Sequence, residues 1–100
     1  MIRGTTPTMT FTLPTTSDLV KVLWITFSQN YKELFTVEMR DCVLSGNQLE
    51  VTLTQEQTLM IKSDADVEIQ IRVLSNGGEA FASDIMTTRF DRILKDGKIE

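Results

Sequence analysis

The 100-residue chain contains no histidine, and this absence excludes much of enzyme chemistry. Ser–His–Asp and Cys–His catalytic sites and every histidine-bearing zinc site are ruled out by composition. The single cysteine, Cys42, allows neither an intrachain disulfide nor a four-cysteine metal site. Asp41 precedes Cys42 and Val43 follows it, so we interpret Cys42 as a packed structural thiol rather than a nucleophile. The sequence therefore predicts no enzyme activity, no metal and no cofactor.

Long apolar runs and clusters of basic residues are also missing. No segment approaches the ~18 consecutive apolar residues of a membrane-spanning helix, and the first residues lack the apolar run of a signal peptide. The net charge is −4, and the ten Lys and Arg residues are dispersed along the chain. An acidic chain of this kind repels phosphate groups. We therefore expect synthesis in the cytoplasm, with neither nucleic acid nor membrane as a partner.

What the sequence does contain is an alternation of apolar and polar residues. It is clearest over residues 67–74 (VEIQIRVL), where Glu68, Gln70 and Arg72 separate aliphatic residues, as in a strand with one buried face. The Asn76-Gly77-Gly78 sequence that follows predicts a hairpin into a further strand over residues 79–88. Similar alternation predicts strands over residues 8–13, 20–29, 32–41 and 49–54.

These strands, with one short helical turn, predict the fold class. The spacing of Thr54 and Gln57 is that of a capping box, which predicts a helical turn over residues 55–60. Residues 95–100 are predicted to be a frayed tail. The expected fold is all-β: a single domain over residues 1–100, an antiparallel immunoglobulin-like β-sandwich of six to eight short strands. A small closed barrel is the alternative that the pattern leaves open.

The strand predicted over Val20–Gln29 is apolar on both faces at its start and on one face later. The second apolar face holds Val20, Val22 and Trp24. Such a strand is either central in its sheet or covered on its second face by a loop, a terminus or a partner. Two interpretations of Trp24 stay open. It is either a core aromatic or, with Val20, Val22 and Tyr31, part of an apolar patch that another subunit covers.

The strand predicted over residues 8–13 is bracketed by Pro7 and Pro14. Because proline cannot donate to a sheet ladder, this strand is expected at an edge or to end at its prolines. Its polar face consists of Thr8, Thr10 and Thr12. This segment is either an ordinary edge strand or a strand that pairs with a neighbouring chain by edge addition.

The acidic residues form no recognisable catalytic or metal-binding pattern. Asp64 and Asp66 occupy alternate positions in a predicted loop, but the glycine and terminal glutamate of a calcium-binding EF-hand loop do not follow. Asp84 and Asp91 show no spacing of paired catalytic carboxylates. We interpret all four as solvated turn residues.

Four segments carry a similarity to known proteins. They are residues 1–8, 24–30 (WITFSQN), 67–74 and 93–97. Together these segments resemble small uncharacterised proteins encoded in the structural gene clusters of tailed phages and prophages. The resemblance implies a virion component near the tail or baseplate, where immunoglobulin-like sandwiches serve as assembly modules. It also implies synthesis in the cytoplasm of a bacterial host, followed by incorporation into the virion. It implies no catalytic residue.

Two functions of different classes follow as hypotheses. The first is a non-enzymatic assembly module that binds copies of itself or other phage structural proteins, by edge pairing and by apolar docking around Trp24. The second is a carbohydrate- or surface-ligand-binding module, in which Trp24 or Tyr31 stacks on a sugar and Asn30, Asp64 or Asp66 supplies polar contacts. The second function requires an exposed aromatic side chain beside a concave polar cleft.

Overall fold

The alternating segments form strands in the computed structural model, which describes all 100 residues. The strands are β1 (Thr8–Thr12), β2 (Val20–Gln29), β3 (Lys32–Glu38), β4 (Cys42–Ser45), β5 (Gln48–Thr52), β6 (Val67–Ser75), β7 (Ala80–Ala82) and β8 (Met86–Thr88). One α-helix, α1 (Gln55–Leu59), and two 3-10 turns, at Ser17–Leu19 and Met39–Asp41, connect them.

The strands form two separate antiparallel sheets. The first has the order β1-β5-β4, and the second has the order β3-β2-β6, with β7 and β8 both pairing with the far side of β6. This arrangement matches strands B-E-D and C′-C-F-G of the immunoglobulin sandwich, without its first strand. The predicted all-β sandwich is therefore confirmed.

The core lies between the two sheets and is built from the faces that the alternation predicts. Ile25 of β2 pairs with Val37 of β3 on one side and with Ile71 of β6 on the other, and all three are buried. Leu49 and Val51 of β5 supply the opposite layer. Fifteen buried apolar residues form one continuous cluster, so each sheet covers the apolar face of the other.

The hairpin predicted after residues 67–74 is present, but its second strand is interrupted. Gly78 has a φ of +86°, which a glycine adopts without strain, and the turn joins β6 to β7. Ser83 then leaves the regular ladder: its N–H donates to the Ile71 carbonyl at 2.8 Å, and its hydroxyl accepts from the Ile71 N–H at 3.0 Å. The single strand predicted over residues 79–88 is therefore two short strands, because a serine side chain takes the place of one backbone partner.

The predicted capping box begins the helix between the sheets. The Thr54 hydroxyl accepts from the Gln57 N–H at 3.1 Å, and the Gln57 side chain accepts from the Thr54 N–H at 2.9 Å. The buried Thr58 hydroxyl donates to the Thr5 carbonyl at 2.8 Å. The helix therefore links β5 of one sheet to β6 of the other and also holds the N-terminal segment.

Residues 95–100, predicted to be a frayed tail, are exposed and form no helix or strand, but side chains of α1 contact them. The Gln55 side chain donates to the Ile99 carbonyl at 3.0 Å and accepts from the Ile99 N–H at 2.9 Å. The Lys98 ammonium lies 2.7 Å from the Glu56 carboxylate. Side chains of α1 therefore contact the tail, and alternation of residue types does not encode these contacts.

Candidate interaction surfaces

Trp24 lies on the outer face of the five-stranded sheet. Its neighbours Leu23 and Ile25 point into the core, and side chains alternate along a strand, so Trp24 points outward. Trp24 is 45% exposed, which is a large exposed fraction for a bulky aromatic side chain. Of the two interpretations that the sequence left open, the structure places Trp24 outside the core.

Two opposite charges flank Trp24 in the same cross-strand row. Glu38 of β3 is its register partner on one side, and Arg72 of β6 is its register partner on the other. The Arg72 guanidinium carbon lies 5.6 Å from the centre of the Trp24 ring, which is a cation–π contact. The carboxylate of Glu38 has only an exposed contact with Arg40, at 3.6 Å. The row therefore presents an anion, an indole and a cation side by side to solvent.

An apolar row lies next to Trp24. Val22 pairs with Leu74 of β6, and Leu74 pairs with Ala80 of β7. We call Val22, Trp24, Leu74 and Ala80 the Trp24 patch; a cavity of ≈ 260 Å³ lies against it. Leu74 and Ala80 are not among the interface residues predicted from the sequence. The available signal was Leu74 itself, the one apolar residue on the otherwise polar face of residues 67–74.

The prediction that Val20 belongs to this outer patch is wrong. Val20 is only 7% exposed and belongs to the core cluster. Its register partner on β6 is Ser75, whereas Val22 pairs with Leu74, so β2 contains one extra residue, Lys21. This β-bulge turns the preceding side chain to the opposite face, and Val20 points inward as a result.

Tyr31 does not belong to the Trp24 patch, contrary to the prediction. It is 98% exposed at the tip of the β2–β3 hairpin, roughly 20 Å from Trp24 at ~3.3 Å per strand residue. Asn30 and Tyr31 both have positive φ, +53° and +63°, as a two-residue hairpin turn requires. The tight turn places the tyrosine ring at the end of the molecule, where it makes no apolar cluster with Trp24.

A groove opens beyond the end of β3. Pairing between β2 and β3 stops at Trp24 and Glu38, and the Met39–Asp41 turn carries the chain to β4 of the other sheet. The first residues of β2 therefore have no strand beside them on that side. The resulting space of ≈ 570 Å³, the β2–β4 groove, is lined by residues that include Val22, Trp24, Met39 and Leu44.

Strand β1 is an edge strand, as predicted. The Pro7 carbonyl accepts from the Leu53 N–H at 2.9 Å, and the Leu13 N–H donates to the Asn47 carbonyl at 2.7 Å. In an antiparallel pair, hydrogen-bonded residues alternate with residues whose backbone groups point the other way. The backbone groups of the alternate residues therefore face the open edge. These residues are the exposed Thr8, Thr10 and Thr12.

Cys42 is half-buried at the start of β4 and close to the groove. Its thiol donates to the Glu38 carbonyl, with a sulfur–oxygen distance of 3.4 Å. Burial, together with the negative charge of Asp41, raises the pKa of the Cys42 thiol to about 11. The thiol is therefore protonated at neutral pH, which is the opposite of what a nucleophile needs.

The loop that carries Asp64 and Asp66 lies at the Tyr31 end of the molecule. Asp66 forms an ion pair with Arg89 at 2.8 Å. The buried Gln29, which the sequence did not single out, fixes this loop through three hydrogen bonds. It donates to the carbonyls of Lys62 and Ala65 at 2.7 and 3.0 Å and accepts from the Lys62 N–H at 2.8 Å. Its only sequence signal was its position in line with the inward-facing residues of β2.

No group of three or more carboxylate or thiol side chains is placed so as to hold a metal ion.

None of the helices has both the length and the apolar character needed to cross a membrane.

Function has to be inferred from these surfaces, since comparison with protein-family models, with curated proteins and with solved structures finds no match to the chain.

Proposed function

We propose that this chain is a non-enzymatic β-sandwich subunit that binds other protein subunits through the Trp24 patch and the open edge of β1. The setting that the sequence resemblance implies is the tail or baseplate region of a tailed phage or prophage. In that setting, the chain is synthesised in the cytoplasm of the bacterial host and then built into the virion. The single observation that carries the proposal is the exposure of Trp24 at the centre of a sheet face.

The Trp24 patch and the adjoining Arg72 have the composition of a protein-binding site. Tryptophan and arginine are the residues most enriched among those that dominate binding energy, and they act best near the centre of an interface. Trp24 and Arg72 are in contact, and Val22 extends the apolar surface beside them. Burying this surface against a partner would remove a partly exposed indole from water, which favours association.

The open edge of β1 supports the same function by a different mechanism. Its outward N–H and C=O groups at Thr8, Thr10 and Thr12 are spaced to accept one more antiparallel or parallel strand. Edge addition supplies backbone hydrogen bonds, whereas the Trp24 patch supplies apolar area. A subunit with both surfaces can contact two neighbours at once, as an assembly module must.

The test is binding by Trp24→Ala, with Val43→Ala as the matched control. Val43 is exposed on β4 of the other sheet, so its truncation removes apolar surface away from the patch. The proteins encoded beside this gene are purified singly and titrated calorimetrically with each variant. We expect at least one to bind, a loss of affinity of at least about tenfold for Trp24→Ala, and no change for Val43→Ala.

Two further measurements complete this test. Circular dichroism should show the same β spectrum for both variants, and mass spectrometry should detect the chain in purified phage particles. Unfolding of Trp24→Ala, equal effects of the two variants, or absence of the chain from particles would each contradict the proposal.

A second function, binding of a carbohydrate or other surface ligand, is favoured by one observation. A polar cleft of ≈ 530 Å³, lined by side chains that include Thr26, Thr36 and Gln70, lies beside the exposed Trp24 ring. This is the aromatic-plus-cleft arrangement that sugar stacking requires. Asn30, Asp64 and Asp66 cannot take part at Trp24, because they lie toward the opposite end of β2.

Trp24 is the only tryptophan, so its fluorescence reports directly on this cleft. A glycan array followed by fluorescence titration of any hit should change the Trp24 emission if the second function holds. An array without hits, or hits that leave the emission unchanged, would dismiss it.

A further inference from the structure

We propose that the partner of the Trp24 patch is a second copy of this chain. The two copies would face each other across a two-fold axis that lies between them, above Trp24 and parallel to β2. Each Glu38 would then pair with Arg72 of the other copy. This inference rests on the proposed function, because it names the partner of the same surface.

The charges around Trp24 determine which symmetry is acceptable. Glu38, Trp24 and Arg72 form one row across three adjacent strands, ~4.8 Å apart. When two such faces meet, a two-fold axis parallel to the strands exchanges the two ends of the row, so each carboxylate lies opposite a guanidinium. A two-fold axis across the strands would instead place like charges opposite each other, which is unfavourable.

Both charges are available for such pairing. Arg72 forms no salt bridge within the chain, and its contact with the Trp24 ring leaves its N–H groups free to donate. Glu38 has one contact, at 3.6 Å, with an Arg40 side chain that is 82% exposed. Such a surface pair contributes little, so exchanging it for Arg72 of the other copy loses little.

The shape of the face agrees with the same axis. In the row of Val22, Leu74 and Ala80, no β3 residue lies beside Val22, because β3 ends at Glu38, opposite Trp24, and the chain then crosses to the other sheet. The rotation that pairs Glu38 with Arg72 also brings Leu74 and Ala80 of one copy over the β2–β4 groove of the other. The strands of the two faces would run nearly parallel, which is the usual alignment of packed sheets. An isologous interface of this kind closes on itself as a dimer.

The test uses the two charge-reversal variants Glu38→Arg and Arg72→Glu, alone and mixed. Sedimentation equilibrium should show a concentration-dependent dimer for the unmodified chain. In a dimer of either variant alone, positions 38 and 72 of opposite copies carry like charges at both contacts. We therefore expect its dimerisation to weaken by at least about tenfold. In an equimolar mixture, every opposed pair is again one cation and one anion, and we expect dimers to return as heterodimers.

Glu50→Arg is the matched control, since it makes the same charge change on the exposed face of the other sheet and should leave dimerisation unchanged. An unmodified chain that stays monomeric at millimolar concentration would overturn the inference. So would variants that dimerise normally, or a mixture that fails to restore association. The two failures are distinguishable: loss of binding by Trp24→Ala to another structural subunit, with no dimer, refutes only the self-pairing, whereas no binding at Trp24 in either assay refutes both.

Discussion

Tyr31 is a bulky residue in a backbone conformation that ordinarily suits glycine or asparagine. Its φ of +63° strains the backbone of a residue with a side chain, and its ring is almost completely exposed. Packing of the ring therefore does not compensate for the strain. Asn-Gly is the favoured pair for such a two-residue turn.

We therefore expect Tyr31→Gly to raise the free energy of unfolding by about 1 kcal/mol, because it relieves the positive-φ strain. Urea denaturation measures this change. Gly46→Ala in the β4–β5 hairpin, where φ is +59°, is the matched control and should change stability in the opposite direction. A loss of stability in Tyr31→Gly would mean that the tyrosine ring contributes packing that its exposure does not indicate.

Cys42 also allows a prediction at the level of one residue. Because burial raises its pKa from 9.0 to about 11, the folded protein holds roughly 100-fold less thiolate than an unfolded chain at pH 8. Alkylation by iodoacetamide should therefore be roughly 100-fold slower in the native protein than in urea, measured by mass spectrometry. Equal rates would contradict the assignment of a structural thiol.

The raised pKa of Cys42 also makes the free energy of unfolding depend on pH. The unfolded chain loses its thiol proton near pH 9, before the folded chain does, so the unfolded state gains relative stability as the pH rises. The contribution of Cys42 to the free energy of unfolding is therefore fully present below pH 9 and is lost as the pH rises through about 11.

At the scale of elements, β1 is informative because its two sides differ. One side is bonded to β5, and the other side has no strand beside it. Thr10 faces Glu50 across the ladder, and both side chains are exposed. The two positions therefore differ chiefly in where their N–H groups point: Thr10 toward the open edge, and Glu50 toward β4.

We expect the Thr8, Thr10 and Thr12 amides to exchange hydrogen quickly, and those of Met9 and Phe11 to be protected. Thr10→Pro should lower the free energy of unfolding by less than about 1 kcal/mol, since it removes no ladder bond, whereas Glu50→Pro should lower it by about 3 kcal/mol or more. Exchange rates from NMR and urea denaturation measure both. Slow exchange at Thr10, or equal effects of the two prolines, would show that the edge is not open.

At the scale of the whole molecule, both ends of the chain are tied to the sandwich. Ile2 and Asp91 form a parallel bridge. The Arg3 guanidinium donates to the Ile61 carbonyl, donates to the Leu59 carbonyl at 2.9 Å and contacts the Asp96 carboxylate at 3.2 Å. Arg3 therefore joins the N-terminus, the end of α1 and the C-terminal tail.

Arg3→Ala should lower the free energy of unfolding by about 2 kcal/mol, because it leaves two backbone carbonyls without their charged donor. Arg40→Ala is the control: its side chain is 82% exposed and makes only a surface pair, so its effect should stay within about 0.5 kcal/mol. Denaturant unfolding compares the two. Equal, small effects would mean that the termini are not part of the cooperative unit.

Much of this protein was determined by local sequence patterns. Period-two alternation is enough to assign strands and their inward faces, because successive side chains of an extended chain point opposite ways. Capping by Thr54 and Gln57 and the glycine turn after β6 are likewise local, since their partners lie within a few residues. The sandwich class follows from these elements.

Tertiary structure alone decided where the surfaces lie. Val20 became a core residue because a β-bulge against β6 reversed its face, and a bulge depends on a partner strand distant in sequence. Leu74 and Ala80 lie beside Trp24 because β2, β6 and β7 pair side by side, and the groove exists because β3 ends at Glu38 and the chain then crosses to the other sheet. Alternation specifies which side chains share a face of one strand, but a surface is built across strands, and only their pairing places an anion and a cation on either side of Trp24.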